Sequence, residues 1–347
     1  MEMHQLLQKD PEIWDLFTRR EEYCPSTLDQ YERFPYYASL NRNIFEPRAS
    51  KYLIENGYHF EYYEEKPFAI CLTHDIDQVY LSILNKWTLA NERLMQGSLS
   101  GFIHSITQMR SKKLPYWNFN DILALEECYD AKSSFYFLAE NAGERDYNFP
   151  IEDCELVLGD ILDRGCEVGL HGGHSSYLSP EDMRYKRERL EKIINKKVIG
   201  YRNHFLRFKV PETWEYLHEA GFLYDATFGY ADCVGFRNGM CHPFRPFNLK
   251  TGKPIEILEI PLTIMDCTFD FYMKLDIRRG LELTKKLIDT VRQYNGVLTL
   301  LWHNVYLTRD EMKDERKFYE KILDYCAEKN AWMTSGEEIV KWLNRYE

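Results

Sequence analysis

Residues Phe68 to Asp77 read FAICLTHDID. An apolar run ends in two carboxylates, Asp75 and Asp77, with Thr73 and His74 just before them. In a strand, residues two apart point to the same face, so this strand end presents two acids side by side. Adjacent carboxylates repel unless a cation or a proton lies between them. The pair is therefore suited to a site where one acid holds a metal and the other handles a proton.

From Pro67 onward, strand-like apolar runs alternate with amphipathic helices. The strand candidates are Phe68–Thr73, Ser134–Leu138, Glu167–Leu170, Val198–Tyr201, Ile257–Pro261, Gly296–Trp302 and Ala331–Thr334. The helix candidates are Tyr80–Gln96, Asn120–Asp130, Glu152–Arg164, Pro180–Lys196, Pro211–Ala220, Ile277–Tyr294 and Arg309–Lys329. Pro180 and Pro211 fit first-turn positions, and Gly165 and Gly221 fit C-terminal caps. Such alternation predicts an α/β fold with a mostly parallel sheet. About seven units point to a distorted (β/α) barrel rather than an open sheet. Residues 1–65 are polar and aromatic, with short helical patterns over Glu12–Arg19 and Ala49–Asn56. No linker-like stretch follows them, so they read as a helical extension packed on a main domain of residues 66–347.

The chain has 347 residues and a net charge of −11 without a long basic run, which argues against nucleic acid or an anionic membrane as partner. No stretch approaches the roughly 20 apolar residues of a membrane span. The N-terminus lacks a basic region followed by an apolar one, so no signal peptide is visible. Nine cysteines without a CxxC pair fit a reducing compartment. The expected setting is cytoplasmic. Aromatic residues make up 15% of the chain, which serves either a large core or stacking on sugar rings.

In a parallel barrel the chemistry collects at the C-terminal ends of the strands. His171, Gly172, Gly173 and His174 follow the strand at Glu167, and Arg202, Asn203 and His204 follow the strand at Val198. His303 follows the apolar run VLTLLW. Two histidines plus a carboxylate make a typical open divalent-metal site, so His171 and His174 are the expected ligands beside an acid of the pair. Arg202 next to the acids would hold one of them ionised and aimed. His204 reads as a further ligand, a substrate contact or a plain loop histidine. His303, at the rim of the core, has a pKa set by its neighbours and is a candidate general acid. Trp302 beside it is a further candidate behind the site or against substrate.

The ordered motifs resemble the polysaccharide deacetylases with the NodB homology domain, over about Phe68 to Leu343. Thr73-His74-Asp75-Ile76-Asp77 resembles the family's first motif in a branch with D-x-D. Ser134-Phe135-Tyr136-Phe137 resembles its second strand. Gly165, Glu167, Val168 and Gly169 resemble the strand before its metal histidines, and Gly200-Tyr201-Arg202 its arginine motif. His303 resembles its final histidine, and Trp332-Met333-Thr334 with Glu337 its closing segment. The resemblance implies a hydrolase with Asp75 as base, Asp77 as metal ligand and His303 as acid. It implies a divalent metal, zinc first and cobalt, nickel or manganese after it, and an N-acetylated sugar or glycan as substrate. It also implies an acid that tunes His303, for which Asp225, Asp232 and Asp266 are candidates. One departure stands out: the family's histidines lie four apart, whereas here they lie three apart and Ser175 takes the fourth position. Two other functions use the same residues: hydrolysis of a non-sugar amide such as a ureide, and glycan binding without catalysis.

Overall fold

A computed structural model of the chain describes residues 2–59, 66–80, 116–308 and 312–344. The opening stretch forms strand β1 (Ala69–Ile76), buried along its whole length, and Asp77 lies just past its end. β2 (Ser134–Leu138), β3 (Glu167–Gly172), β4 (Gly200–Asn203) and β5 (Tyr224–Asp225) follow. β6 (Phe247–Asn248) and β7 (Lys253–Pro254) form a separate antiparallel pair. β8 (Leu258–Glu259), β9 (Leu262–Met265), β10 (Val297–Leu301) and β11 (Trp332–Thr334) complete the set.

Nine of these strands form one parallel sheet in the order β8-β5-β4-β3-β2-β1-β10-β9, with β11 pairing β1. The two edges, β8 and β9, are separated in the chain by only Ile260 and Pro261. One stretch therefore begins on β5 and ends on β10, and the sheet curls into a distorted (β/α) barrel. The sequence reading expected about seven strands. It missed β5, whose two residues are too short to show a period. It ended its strand Ile257–Pro261 at the break and so missed β9 beyond it.

The helices between strands cover the outside of the sheet. Pro180–Ile194 starts as expected, with Ser179 capping the Asp182 N–H and Pro180 in the first turn. Gly221 ends Glu212–Ala220 at φ 86, a left-handed conformation that glycine adopts without cost. Pro211 lies one residue ahead of that helix rather than inside it. The expected helix Tyr80–Gln96 lies almost wholly outside the described residues. Among the described residues no helix is long and apolar enough to cross a membrane.

Alternation along β1 splits the core in two. Ile70, Leu72 and Ile76 pack outward under the helices with Phe135, Phe137 and Leu300. Cys71 faces the interior with Tyr136 and Tyr224. His74 also points outward: its Nδ1 meets the Trp302 carbonyl at 2.7 Å and its Nε2 the Glu126 carboxylate at 2.8 Å. It ties β1 to β10 and to helix Phe119–Glu127.

The lower interior is a polar network around Glu167. Glu167 Oε2 accepts from Ser134 Oγ at 2.6 Å, Tyr224 Oη at 2.7 Å and the Glu337 N–H at 2.8 Å. The Tyr136 and Tyr224 hydroxyls meet at 2.8 Å. Glycine is required beside these rings: a Cβ on Gly169 would sit 2.5 Å from the Tyr136 ring, and one on Gly200 would sit 2.3 Å from Tyr224 Oη.

The N-terminal residues run along this barrel. His4 Nε2 meets the Arg245 carbonyl at 2.8 Å, and Arg19 donates to the Arg237 carbonyl at 2.9 Å and Tyr230 Oη at 2.7 Å. Their helices, Pro11–Thr18 and Arg48–Glu55, fall where the periodicity predicts.

Candidate metal centre and catalytic site

The ends of β1, β3, β4, β9 and β10 bring the candidate residues together. One oxygen of Asp77 and one ring nitrogen each of His171 and His204 lie within 4.8 Å of one another, a set that could hold a metal ion. His171 Nε2 is 3.1 Å from Asp77 Oδ1, and His204 Nε2 is 3.5 Å from Asp77 Oδ2. The other nitrogen of each ring is already engaged. His171 Nδ1 lies 3.0 Å from the Arg202 carbonyl, and His204 Nδ1 lies 2.9 Å from Asp146 Oδ2. Both partners are acceptors, so both Nδ1 atoms carry the proton and both Nε2 atoms turn toward Asp77.

This arrangement tests whether a cation fits. Buried Asp77 Oδ1 and His171 Nε2 have no hydrogen-bond partner, although they face each other. Orphaned acceptors converging on one point are costly unless a cation or a proton joins them. Burial lowers the pKa of His204, but Asp77 and Asp146 outweigh it and raise it to about 10. Burial likewise works to raise Asp77, and the facing His204 and His171 instead hold it well below the usual carboxylate range. Two imidazoles and a carboxylate are a donor set for zinc and its first-row neighbours.

His174 is not in this group, and the geometry corrects the expected ligand pair. Its ring and its carbonyl lie against the Arg207 guanidinium, and Phe205 stands edge-on to the ring at 6.0 Å. Burial and the Arg207 charge both lower its pKa. The second imidazole comes instead from His204, directly after β4.

Asp75 sits beside the group without belonging to it. Its Oδ1 accepts from Arg202 Nη1 at 3.1 Å, and its Oδ2 is 3.8 Å from His171 Nε2. Arg202 is fully buried; it also donates to Thr73 Oγ1 at 2.7 Å and the Ala226 carbonyl at 2.8 Å, and lies 4.8 Å over the Tyr136 ring. A guanidinium so fixed orients the adjacent carboxylate.

His303 closes the opposite side, its Nε2 3.7 Å from Asp77 Oδ2. Its Nδ1 faces both oxygens of Asp266, at 2.9 and 3.0 Å, and its N–H donates to Asp266 at 2.5 Å. Burial lowers the pKa of His303, yet Asp266 prevails and raises it to about 9. Of the three aspartates weighed, Asp266 is thus the one bonded to His303. Asp225 lies in the interior, accepting from Thr227 Oγ1 at 2.6 Å, and burial raises it to about 6. Asp232 accepts the Tyr36 N–H at 3.0 Å. Trp302 faces the helices, against Phe318 and Tyr319, and is not part of the site.

Sequence reasoning missed Asp146 altogether. It lies in the loop after β2, so the strand-end rule covers its position, but no motif marks it.

No family model and no curated protein matches the sequence. Among solved structures, a candidate polysaccharide deacetylase from Mycobacterium smegmatis superposes with a TM-score of 0.56 at 17% identity, over 83% of this chain and 93% of that one. A family 4 carbohydrate esterase from Streptomyces lividans, in complex with acetate, gives 0.41 at 9% identity over 78% and 93%. A pseudoenzyme of carbohydrate esterase family 4 from Bacillus anthracis gives 0.41 at 12% identity over 80% and 66%. The Mycobacterium smegmatis likeness speaks to architecture, and the chain has the polysaccharide-deacetylase fold, a NodB-type distorted (β/α) barrel.

Proposed function

We propose that this protein is a metal-dependent hydrolase that removes an N-linked acetyl group from an amino sugar or glycan. One observation carries the reading. A group fit for a cation, Asp77, His171 and His204, is flanked by an arginine-held carboxylate, Asp75, and by an aspartate-held histidine, His303. Pure metal storage or glycan binding has no need of a base and an acid on either side.

A bound divalent ion, zinc first and cobalt, nickel or manganese after it, would polarise the acyl carbonyl and make water a stronger acid. Asp75, aimed by Arg202, takes a proton from the attacking water as its oxygen bonds to the acyl carbon. His303, charged through its bond to Asp266, donates a proton to the departing nitrogen as the C–N bond breaks. Acetate and a free amine result. Asp77, and His204 and His171 through Nε2, would hold the ion, with Asp146 and the Arg202 carbonyl fixing the two rings. The nine free cysteines support a reducing, cytoplasmic setting.

Elemental analysis of the purified protein, paired with an acetate-release assay on N-acetylglucosamine oligomers, tests this. Stoichiometric divalent metal and chelator-sensitive acetate release are expected. Metal without acetate release would overturn the sugar assignment, and turnover of a ureide under the same conditions would replace it with another C–N hydrolase.

A further inference from the structure

The loop that carries His204 is held in a conformation its own residues disfavour. Phe205 and Leu206 both have left-handed backbones, at φ 59 and 55. Bulky residues rarely adopt that conformation, and two in succession need outside support. The support comes from a segment more than 170 residues earlier in the chain. The Arg33 guanidinium, itself buried, donates to the Phe205 carbonyl at 2.9 Å. Tyr31 stacks on the Phe205 ring, with centroids 4.9 Å apart and planes 12° apart. Glu32 pairs with Arg207 at the end of the loop. Phe205 in turn stacks on His204 at 3.9 Å.

This segment is built to be stiff. Asp29 Oδ1 accepts the Tyr31 and Arg33 N–H groups at 2.9 and 3.0 Å, closing a turn. Asp29 Oδ2 accepts from Arg33 Nε at 2.8 Å, and Arg33 Nη2 donates to Tyr272 Oη at 3.1 Å. Arg33 is thus fixed by two groups while it holds a third. Phe205 stacks on the Tyr31 ring and the Arg33 guanidinium lies 4.7 Å from its centroid.

We propose that Asp29–Arg33 is a positioning element for the metal group, with Arg33 as its central residue, acting through the loop that presents His204. The proposal rests on the reading that His204 holds a metal. Arg33 does not touch the ion. It fixes the backbone from which the His204 ring projects, as Asp146 fixes the ring itself.

The test is zinc affinity, measured by competition with a chromophoric chelator on the full-length chain, with apoprotein melting recorded in parallel. Arg33→Met keeps the aliphatic stem and removes the donors. It is expected to weaken zinc binding roughly 10- to 100-fold, the range found when groups that orient metal ligands are lost. Arg33→Lys should recover part of that loss. A purely structural role would lower the melting temperature of the apoprotein but leave zinc affinity within about threefold of wild type. That result would overturn the proposal. Should Arg33→Met fail to fold, Tyr31→Ala takes its place, with a several-fold weakening expected and an unchanged affinity overturning the idea. Absence of zinc binding by the wild-type protein would remove the metal reading and this proposal together. Tight wild-type binding with unaltered variants removes the positioning role alone.

Discussion

The upper and lower halves of the barrel interior use the same strands and the same kinds of residue, yet they solve opposite problems. In the lower half, the hydroxyls of Ser134 and Tyr224 donate to Glu167 Oε2 and Tyr136 meets Tyr224, leaving Glu167 Oε1 as a lone unpartnered oxygen. A few residues further along β1, β3 and β4, acceptors face acceptors: Asp77 Oδ1 and His171 Nε2 meet with no hydrogen between them. Burial alone does not separate a structural polar cluster from a chemical one. The separation lies in whether unpartnered acceptors converge on one point.

The sharpest way to break this comparison is Asp75→Asn. If the upper cluster exists for chemistry, turnover should fall on the order of 10³-fold while the metal content stays near wild type. Acetate release and elemental analysis on the same preparation would show it, and normal turnover would remove Asp75 as the base. Next in size is the pair His204→Ala and His174→Ala. The first should weaken metal binding about 100-fold or more, and the second should change it by no more than a few-fold. Equal losses in a competition titration would return His174 to the ligand set.

The lower half offers a test through pH. Burial pushes Glu167 from 4.5 up to about 7, so the folded protein keeps this proton after the unfolded chain has lost it. The folded state binds more protons across that window, and stability falls as pH rises through it. Glu167→Gln removes the titration. Relative to wild type, the variant should gain on the order of 3 kcal/mol between pH 5 and pH 8, read from urea unfolding with chelator present. A constant difference across that range would mean that Glu167 is charged throughout. The smallest effect belongs to Gly169→Ala. The added methyl meets the Tyr136 ring and should cost about 2 kcal/mol, seen as a lower urea midpoint. A neutral result would show that the lower cluster has room to yield.

Much of this was legible in the chain because it is periodic. The inward alternation of Thr73, Asp75 and Asp77, and the arrival of His171, Arg202 and His303 at neighbouring strand ends, follow from a period of two and the barrel rule. What could not be read comes from loops. His204 and His174 are equally placed in sequence terms, each just past a strand. Only the left-handed turn at Phe205 and the carboxylate of Asp146 decide which of them reaches Asp77. Asp266 was one aspartate among three until the bend at Pro261 carried β9 alongside β10. Arg33 carries no motif, because its effect is exerted on a backbone carbonyl far away in the chain.

The bend at Ile260 and Pro261 has one more consequence. β8 and β9 make the barrel's seam, and Asp266 follows directly on β9. The metal group hangs from β1, β3 and β4, none of which pairs with β9. β9 is an edge strand that pairs with β10 alone, so fraying of β9 at the seam would free Asp266 from His303 while Asp77, His171 and His204 stay together. In rising urea such a molecule would lose its proton donor before its metal grip, passing through a loaded but silent state. Acetate release and metal retention followed along one urea series would then fall at two separate midpoints, the first marking the seam and the second the barrel itself.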